Sequence, residues 1–309
     1  MHPLEIREAA PADTERIMRL VYRQYGKLNY DRTLYDAQKL SAEIAAGRYR
    51  YWLATYGGED AGLVCLKAHP HFAGTYEGCT LSVVPEFRRL GIAKKLSDTM
   101  QSSFNTVRAS SIFYSILTLR VLEEEREYEN GCKPTGFALD RYLFDKSAQN
   151  LGGGEPLPKR RHHLFLVLPI DKKETAKLFI PPPLEGFVRR IYDDLNVAIG
   201  EKQTTPPQGE FVNFPESEYA EVYGAMPDGF KIADSTAVNL FLDMTDPKTP
   251  ENFRRLREGG WRFTGIKPLQ ETAEYIIMHK GDINAGLDAS VTLSAFESPK
   301  REIRRLANE

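Results

Sequence analysis

The stretch Val83–Leu96, VVPEFRRLGIAKKL, constrains this chain more than any other. An apolar run that reads as a strand stops at Pro85, which cannot donate to a sheet ladder. Two arginines and Gly91 follow, and GIAKKLSDTMQSSF then has helical spacing. A further apolar strand, SSIFYSILTL, comes next. Strand, glycine turn, helix and strand in that order make a crossover unit of an α/β fold. At such a turn the N–H groups of Leu90, Gly91, Ile92 and Ala93 have no acceptor within the helix, and the helix dipole favours an anion there. Gly91 also allows a close approach to the main chain. Arg88, Arg89, Lys94 and Lys95 add positive charge around it. The stretch therefore reads either as a phosphate or pyrophosphate cradle or as a solvated basic helix start whose glycine only serves the turn.

The neighbouring segments extend the layout. LEIREA alternates as a first strand, and TERIMRLVYRQY reads as a helix closed by Gly26. A second helix is expected over LYDAQKLSAEIAAG, with Leu34, Ala37, Leu40 and Ile44 on one face. RYWLATY and DAGLVCLKAH form a hairpin across Gly57-Gly58, and YEGCTLSVV is the strand that enters the cradle. Up to about residue 120 the order is β-α-α-β-β-β-α-β, with mainly antiparallel early strands. EEEREYENG then reads as a helix stopped by Asn130-Gly131, followed by strands in TGFALDRYLF and HHLFLVLPI. The polar, proline-bearing GEKQTTPPQGE, after the amphipathic LEGFVRRIYDDLNV, is the expected boundary. The domains expected are 1–170, a connecting helical segment 171–204, and a smaller C-terminal α/β domain 205–309.

One internal echo joins the two parts. ENGCKPTGF (129–137) and EGGWRFTGI (258–266) share Glu, Gly, Thr and Gly, and each follows a strand and a charged helix. A duplicated β-α-β unit is the expectation.

Composition excludes several classes. A formal net charge of −2 gives no general pull towards nucleic acid or an anionic membrane. The three cysteines include no CxxC pair, so neither a disulfide framework nor a zinc site is expected. HPHF and RRHH lack further ligands nearby and read as loop or strand-start histidines, not metal ligands. No segment has the length of a membrane span or a signal peptide, and a cytoplasmic location is the default.

LSVVPEFRRLGIAKKL resembles the acetyl-CoA signature of the GCN5-related N-acetyltransferase (GNAT) superfamily, in which V-x-P-x-x-R leads into R-x-x-G-x-A at a helix start. The resemblance covers about residues 4–170 and implies a mixed, mainly antiparallel sheet flanked by helices. It implies that Leu81, Ser82, Val83 and Val84 offer their backbone to the pantetheine arm. Arg88, Arg89, Leu90, Gly91, Ile92, Ala93 and Lys94 would wrap the pyrophosphate, and strand 111–118 would splay away to leave a slot for the thioester. The activity implied is transfer of an acetyl group from acetyl-CoA to the amine of a small molecule, by direct attack in a ternary complex. The Val83 N–H would meet the thioester oxyanion.

Glu77 is the carboxylate best placed by position to act as base, since simple alternation puts it on one strand face with Cys79, Leu81 and Val83. The sequence departs from the family at the acid. No asparagine follows LTLR, and Glu127 stands where a tyrosine is usual, with Tyr128 one residue away. Tyr128 is the candidate acid, the alternative being a structural Tyr128 with water as the eventual proton source. Tyr22, Tyr25 and Tyr30 lie in the region that forms the acceptor wall in this family. The departures keep open a non-catalytic acyl-CoA-binding or sensing module. The C-terminal domain has no R-x-x-G-x-A and reads either as a degenerate GNAT-like unit that shapes the acceptor site or supports a homodimer, or as a different small α/β module.

Overall fold

Turn chemistry and alternation set the first sheet. The computed structural model describes the chain except residues 1–2, 27–28, 30, 70–73, 119–125, 144–159, 206–209, 215–218, 225–236, 271–272 and 290–295. The described residues form two compact units, one reaching Ile112 and the other starting at Phe113. The fold is mixed α/β, with mainly antiparallel sheet and flanking helices.

The first unit contains β1 (Leu4–Glu8), α1 (Thr14–Tyr25), α2 (Ala37–Ala45), β2 (Tyr49–Tyr56), β3 (Glu59–Ala68), β4 (Thr75–Val83) and α3 (Ile92–Ser102). Strand β5 (Ser111–Leu117) leads out of it. Strands β1 to β4 pair antiparallel in chain order. Gly57 and Gly58, with φ of 61° and 87°, join β2 to β3 in the left-handed geometry that a two-residue hairpin requires. Helix α2 starts later than its apolar pattern suggests. Asp36 caps it by accepting the Lys39 N–H at 2.9 Å, so Leu34 lies in a separate turn at Arg32–Tyr35 and Ala37 is exposed. Leu34 is nonetheless buried, with Ile17, Leu20, Leu40 and Ile44, against Tyr51, Leu53, Leu63 and Cys65 of the sheet. Helix α3 packs on β2, β3 and β4, with Leu96 beside Gly62.

Strand β4 carries one irregularity that matters for the site. Cys65 pairs with Cys79 but Leu63 pairs with Ser82, so β4 spends an extra residue where Thr80 takes a φ of 55°. Such a bulge reverses which side chains share a face. Glu77, Cys79 and Ser82 therefore point to the side covered by α1 and α2, whereas Val83, paired with Gly62, points to the α3 side. The expected alignment of Glu77 with Leu81 and Val83 is overturned.

The second unit continues with β6 (Lys133–Leu143), β7 (Arg160–Pro169), β8 (Glu174–Thr175), α4 (Glu185–Asp194), β9 (Ala198–Ile199), β10 (Glu210–Phe214), β11 (Tyr219–Tyr223) and β12 (Ala237–Asp243). It ends with α5 (Thr249–Glu258), β13 (Arg262–Gln270), β14 (Ala273–His279), α6 (Ile283–Ala289) and α7 (Glu297–Asn308). Its sheet runs β5-β7-β6-β13-β14-β12-β11-β10. The buried Glu274 ties α4 and β8 to this sheet. Its carboxylate accepts from the Tyr192 hydroxyl at 2.6 Å, from Lys172 Nζ at 3.2 Å, and from the Thr175 hydroxyl and the Leu269 N–H. A carboxylate with this many donors is tolerable in the interior, where an unpaired one is not. Among the described residues no helix is long and apolar enough to cross a membrane.

Gly62 tests the packing behind the site. A Cβ there would sit 2.5 Å from the Ser82 carbonyl oxygen and 3.3 Å from Leu96 Cδ1. Gly62→Ala should cost about 2–4 kcal/mol in urea denaturation. Gly58→Ala, strained but with open space around it, should cost only about 1 kcal/mol. Equal losses would contradict the packing described.

Candidate functional site

The handover from β4 to α3 is where chemistry-bearing main chain is exposed. Pro85–Phe87 form one tight turn after Val84, and Arg88 is extended. Arg89 and Gly91 then take left-handed φ values of 64° and 75°. Gly91 is the N-cap of α3, no side chain caps the helix, and a Cβ on Gly91 would meet nothing within 4 Å. The first intrahelical bond at this end runs from the Lys95 N–H to the Gly91 carbonyl at 3.1 Å. Among the described residues no acceptor takes the N–H groups of Leu90, Gly91, Ile92, Ala93 or Lys94. Alternating left-handed residues before a helix turn successive amides inward, which makes a concave anion site.

Side chains tune the charge around this row. Glu86 is engaged by Arg23 at 2.6 Å, and Lys94 reaches Asp98 one turn on at 3.1 Å. No described carboxylate lies within ion-pair range of Arg89 or Lys95, and both are exposed. Arg88 Nε donates to the Val83 carbonyl at 3.3 Å, bracing the end of β4. The Val84 N–H is given to Ala61 at 2.9 Å. By antiparallel alternation the Val83 N–H therefore points away from β3.

Glu77 lies on β4, partly buried, directly opposite Lys67 in the ladder. Lys67 belongs to a network that the sequence does not reveal. Its Nζ donates to Asp31 at 2.7 Å, and the Tyr49 hydroxyl donates to the same oxygen at 2.6 Å. The other Asp31 oxygen accepts the Thr33 N–H at 3.1 Å. Lys67 Nζ also lies 5.0 Å from the Tyr49 ring centroid. Burial opposes the charge on both partners, but the pairing outweighs it. Asp31 is held below the usual carboxylate range by Lys67, Tyr49 and Thr33, and Lys67 is held above the usual lysine range by Asp31 and Glu77. One carboxylate thus fastens the connection between α1 and α2 to the sheet. The signal available in the sequence was the single cation in the apolar strand GLVCLKA.

The remaining expected residues are dispersed. Tyr22 is 55% exposed on α1, while Tyr25 packs partly on the core. Tyr30 lies outside the described residues. Tyr128 belongs to the second unit, where it is 41% exposed, meets Phe296 edge-on at 5.5 Å and lies near Lys133. Glu127 is buried beside Arg126 at 3.3 Å, and burial pushes its carboxyl up. Cys65 and Cys79 are free thiols. Among the described residues no cluster of His, Cys, Asp or Glu could hold a metal ion.

The Asp31–Lys67 pair makes a stability prediction. Asp31, with its folded pKa depressed, stabilises the fold above its unfolded value and loses that contribution as pH falls below about 4. Lys67→Met should destabilise the protein by about 3 kcal/mol at pH 7 by stranding a buried carboxylate. The deficit should shrink at pH 3.5, where the stranded Asp31 of the variant can take up a proton and the Asp31–Lys67 pairing contributes less to the unaltered protein. Chemical denaturation at the two pH values checks this, and a deficit independent of pH would contradict it.

Residues 14–116 match the family model described as the acetyltransferase (GNAT) family. None of the curated proteins matches the sequence. Among solved structures, the ribosomal-protein-S18-alanine N-acetyltransferase of Escherichia coli is 11% identical, with a TM-score of 0.43, over 54% of this chain and 94% of that one. A GNAT-family acetyltransferase from Streptococcus pneumoniae is 13% identical, with a TM-score of 0.44, over 54% and 100%. The PaiA N-acetyltransferase of Thermoplasma acidophilum, solved with coenzyme A, is 16% identical, with a TM-score of 0.37, over 54% and 99%. The segment 14–116, which contains the β4–α3 handover, is a domain of the GNAT acetyltransferase family.

Proposed function

We propose that this protein is an acetyl-CoA-dependent N-acetyltransferase acting on the amine of a small molecule, with direct attack in a ternary complex. The observation that carries the reading is the open row of amides from Leu90 to Lys94 in a domain of this family. In this reading Leu81 to Val84 present backbone groups to the pantetheine arm, and the amide row with Arg88 and Arg89 holds the pyrophosphate. The Val83 N–H, turned away from β3, is available for the oxyanion that develops on the thioester carbonyl. Glu77 accepts the amine proton through water, on the sheet face beneath α1 and α2, with Tyr22, Tyr25 and Tyr30 nearby in sequence as acceptor contacts. Tyr128 is proposed as the proton donor to the departing thiolate. Residues 1–170 supply the cofactor-binding part, 171–204 connect, and 205–309 support it, in a cytoplasmic enzyme.

A second reading, an acyl-CoA-binding module without turnover, is favoured by one observation. The position where the family usually carries a tyrosine acid holds Glu127, which is buried and beside Arg126. Release of CoA thiol with a panel of amines separates the two, since a sensor releases none.

Calorimetry with acetyl-CoA tests the cradle itself. Gly91→Glu places a carboxylate beside the amide row at a backbone cost of about 1 kcal/mol, which leaves the protein folded. Affinity for acetyl-CoA should fall at least 100-fold in that variant. In the unaltered protein acetyl-CoA should bind more tightly than an adenine nucleotide fragment lacking the pantetheine arm. Undiminished affinity in the variant would remove the loop from the site.

A further inference from the structure

The second unit builds one motif twice, at the constant residue offset that takes Gly136 to Gly265. The first instance is the helical turn before β6. There the N–H groups of Asn130, Gly131 and Cys132 close on Arg126, Tyr128 and Glu127 at 3.0, 2.9 and 3.0 Å. The second is the end of α5, where those of Gly259, Gly260 and Trp261 close on Arg255, Arg257 and Leu256 at 3.0, 3.1 and 3.0 Å. Gly131 and Gly260 take φ values of 92° and 86°. In the strands that follow, the register slips between Pro134 and Gly136 against β7, and between Phe263 and Gly265 against β14. The residue at each slip is a buried threonine whose hydroxyl points to the next strand: Thr135 to the Phe165 carbonyl at 3.5 Å, Thr264 to the Ile277 carbonyl at 3.4 Å. A second slip follows at Ala138–Tyr142 and at Lys267–Gln270, and inside each a non-glycine residue is left-handed, Asp140 at 51° and Leu269 at 62°. Chance can supply a short sequence echo. It does not supply the same helix stop, the same two bulges and the same strained residue at one offset.

The two instances also meet each other. Strands β6 and β13 pair antiparallel, and the bridge between them joins Gly136 to Gly265, the equivalent residues of the two copies. The strand order is mirrored about this seam, β5-β7-β6 on one side and β13-β14-β12 on the other. Contact of a residue with its own equivalent is the mark of a two-fold interface. The approach is closest at the axis. A Cβ on Gly265 would lie 2.1 Å from Gly136 Cα, and one on Gly136 would lie 2.9 Å from Gly265 Cα, so both copies keep glycine there.

We infer that the C-terminal part is a second copy of the acetyltransferase-like unit, fused as a permanent internal partner across the Gly136–Gly265 seam, with its own cofactor slot closed. The closure is visible in the strands that correspond to β4 and β5. Strands β11 and β12 are parallel and stay paired from Tyr219–Ala237 to Tyr223–Phe241. The Gly224 N–H extends the ladder to the Phe241 carbonyl at 2.8 Å, and the Tyr223 and Phe241 rings stack at 4.4 Å over the same end. The stretch joining these strands, residues 224–236, is much shorter than residues 84–110, which carry the amide row and α3, and it contains no R-x-x-G-x-A. The one-site consequence rests on the function proposed above, whereas the internal-partner consequence does not.

Two measurements on the full chain test this. Light scattering after gel filtration should give a single chain of 35.1 kDa, because the face that a two-fold partner would use is already filled. A dimer would overturn the internal-partner assignment. Native mass spectrometry with acetyl-CoA should count one ligand per chain in the unaltered protein and none in Gly91→Glu. Two ligands in the unaltered protein, falling to one in the variant, would show that the second slot is open and overturn the closure, whereas one ligand in both proteins would remove the Gly91 loop from the site and overturn the function proposed above. If acetyl-CoA binds to neither protein, the function proposed above fails, while the solution mass still decides the internal partner.

Discussion

The candidate site depends on a set of main-chain amides that have no acceptor among the described residues. A helix must begin with N–H groups it cannot satisfy internally, and most proteins cover them with a capping side chain. Here the cap is Gly91, which has no side chain, and Arg89 and Gly91 turn the preceding amides the same way. Leaving such groups bare is costly unless water or a ligand takes them. The rest of the first unit can be read as support for that arrangement. Gly62 lets β3 and β4 close under Leu96, and the bulge at Thr80 sets the faces along β4. Arg23 engages Glu86, the acid nearest in sequence on the N-terminal side of the row.

What the sequence disclosed follows from how local each signal is. The strand, proline, basic turn and helix from Val83 to Leu96 were legible because every element is specified by its own residues. The same holds for the Gly57-Gly58 hairpin and for Gly26 ending α1. The bulge was not legible, because Thr80 is a β-branched residue with nothing in its type to announce a left-handed backbone. That one unannounced residue moved Glu77 to a different face from Val83. Helix α2 starts after the point its apolar spacing predicts, because Asp36 caps it and leaves Leu34 in the preceding turn and Ala37 exposed. Lys67 and Asp31 lie 36 positions apart in sequence, and no local pattern joins them.

The echo between 129–137 and 258–266 shows how a weak sequence signal can hide a strong structural one. The two stretches share only a few identities, yet their backbones share a glycine stop, two register slips and a threonine hydroxyl contact at one offset. Backbone irregularities of this kind are kept because neighbouring strands are built around them. Side chains nearby differ: at the same offset from Ala138 stands Lys267, whose ammonium lies among the rings of Phe113, Phe165, Tyr223 and Phe241.

The central claim is that the amides from Leu90 to Lys94 are the ligand's contacts. Residue-resolved amide hydrogen exchange, measured by NMR with and without saturating acetyl-CoA, tests it most directly. Exchange at these five positions should slow by at least tenfold on binding, with little change in the last turn of α3. Unaltered exchange there, in a sample where acetyl-CoA is demonstrably bound, would contradict the account.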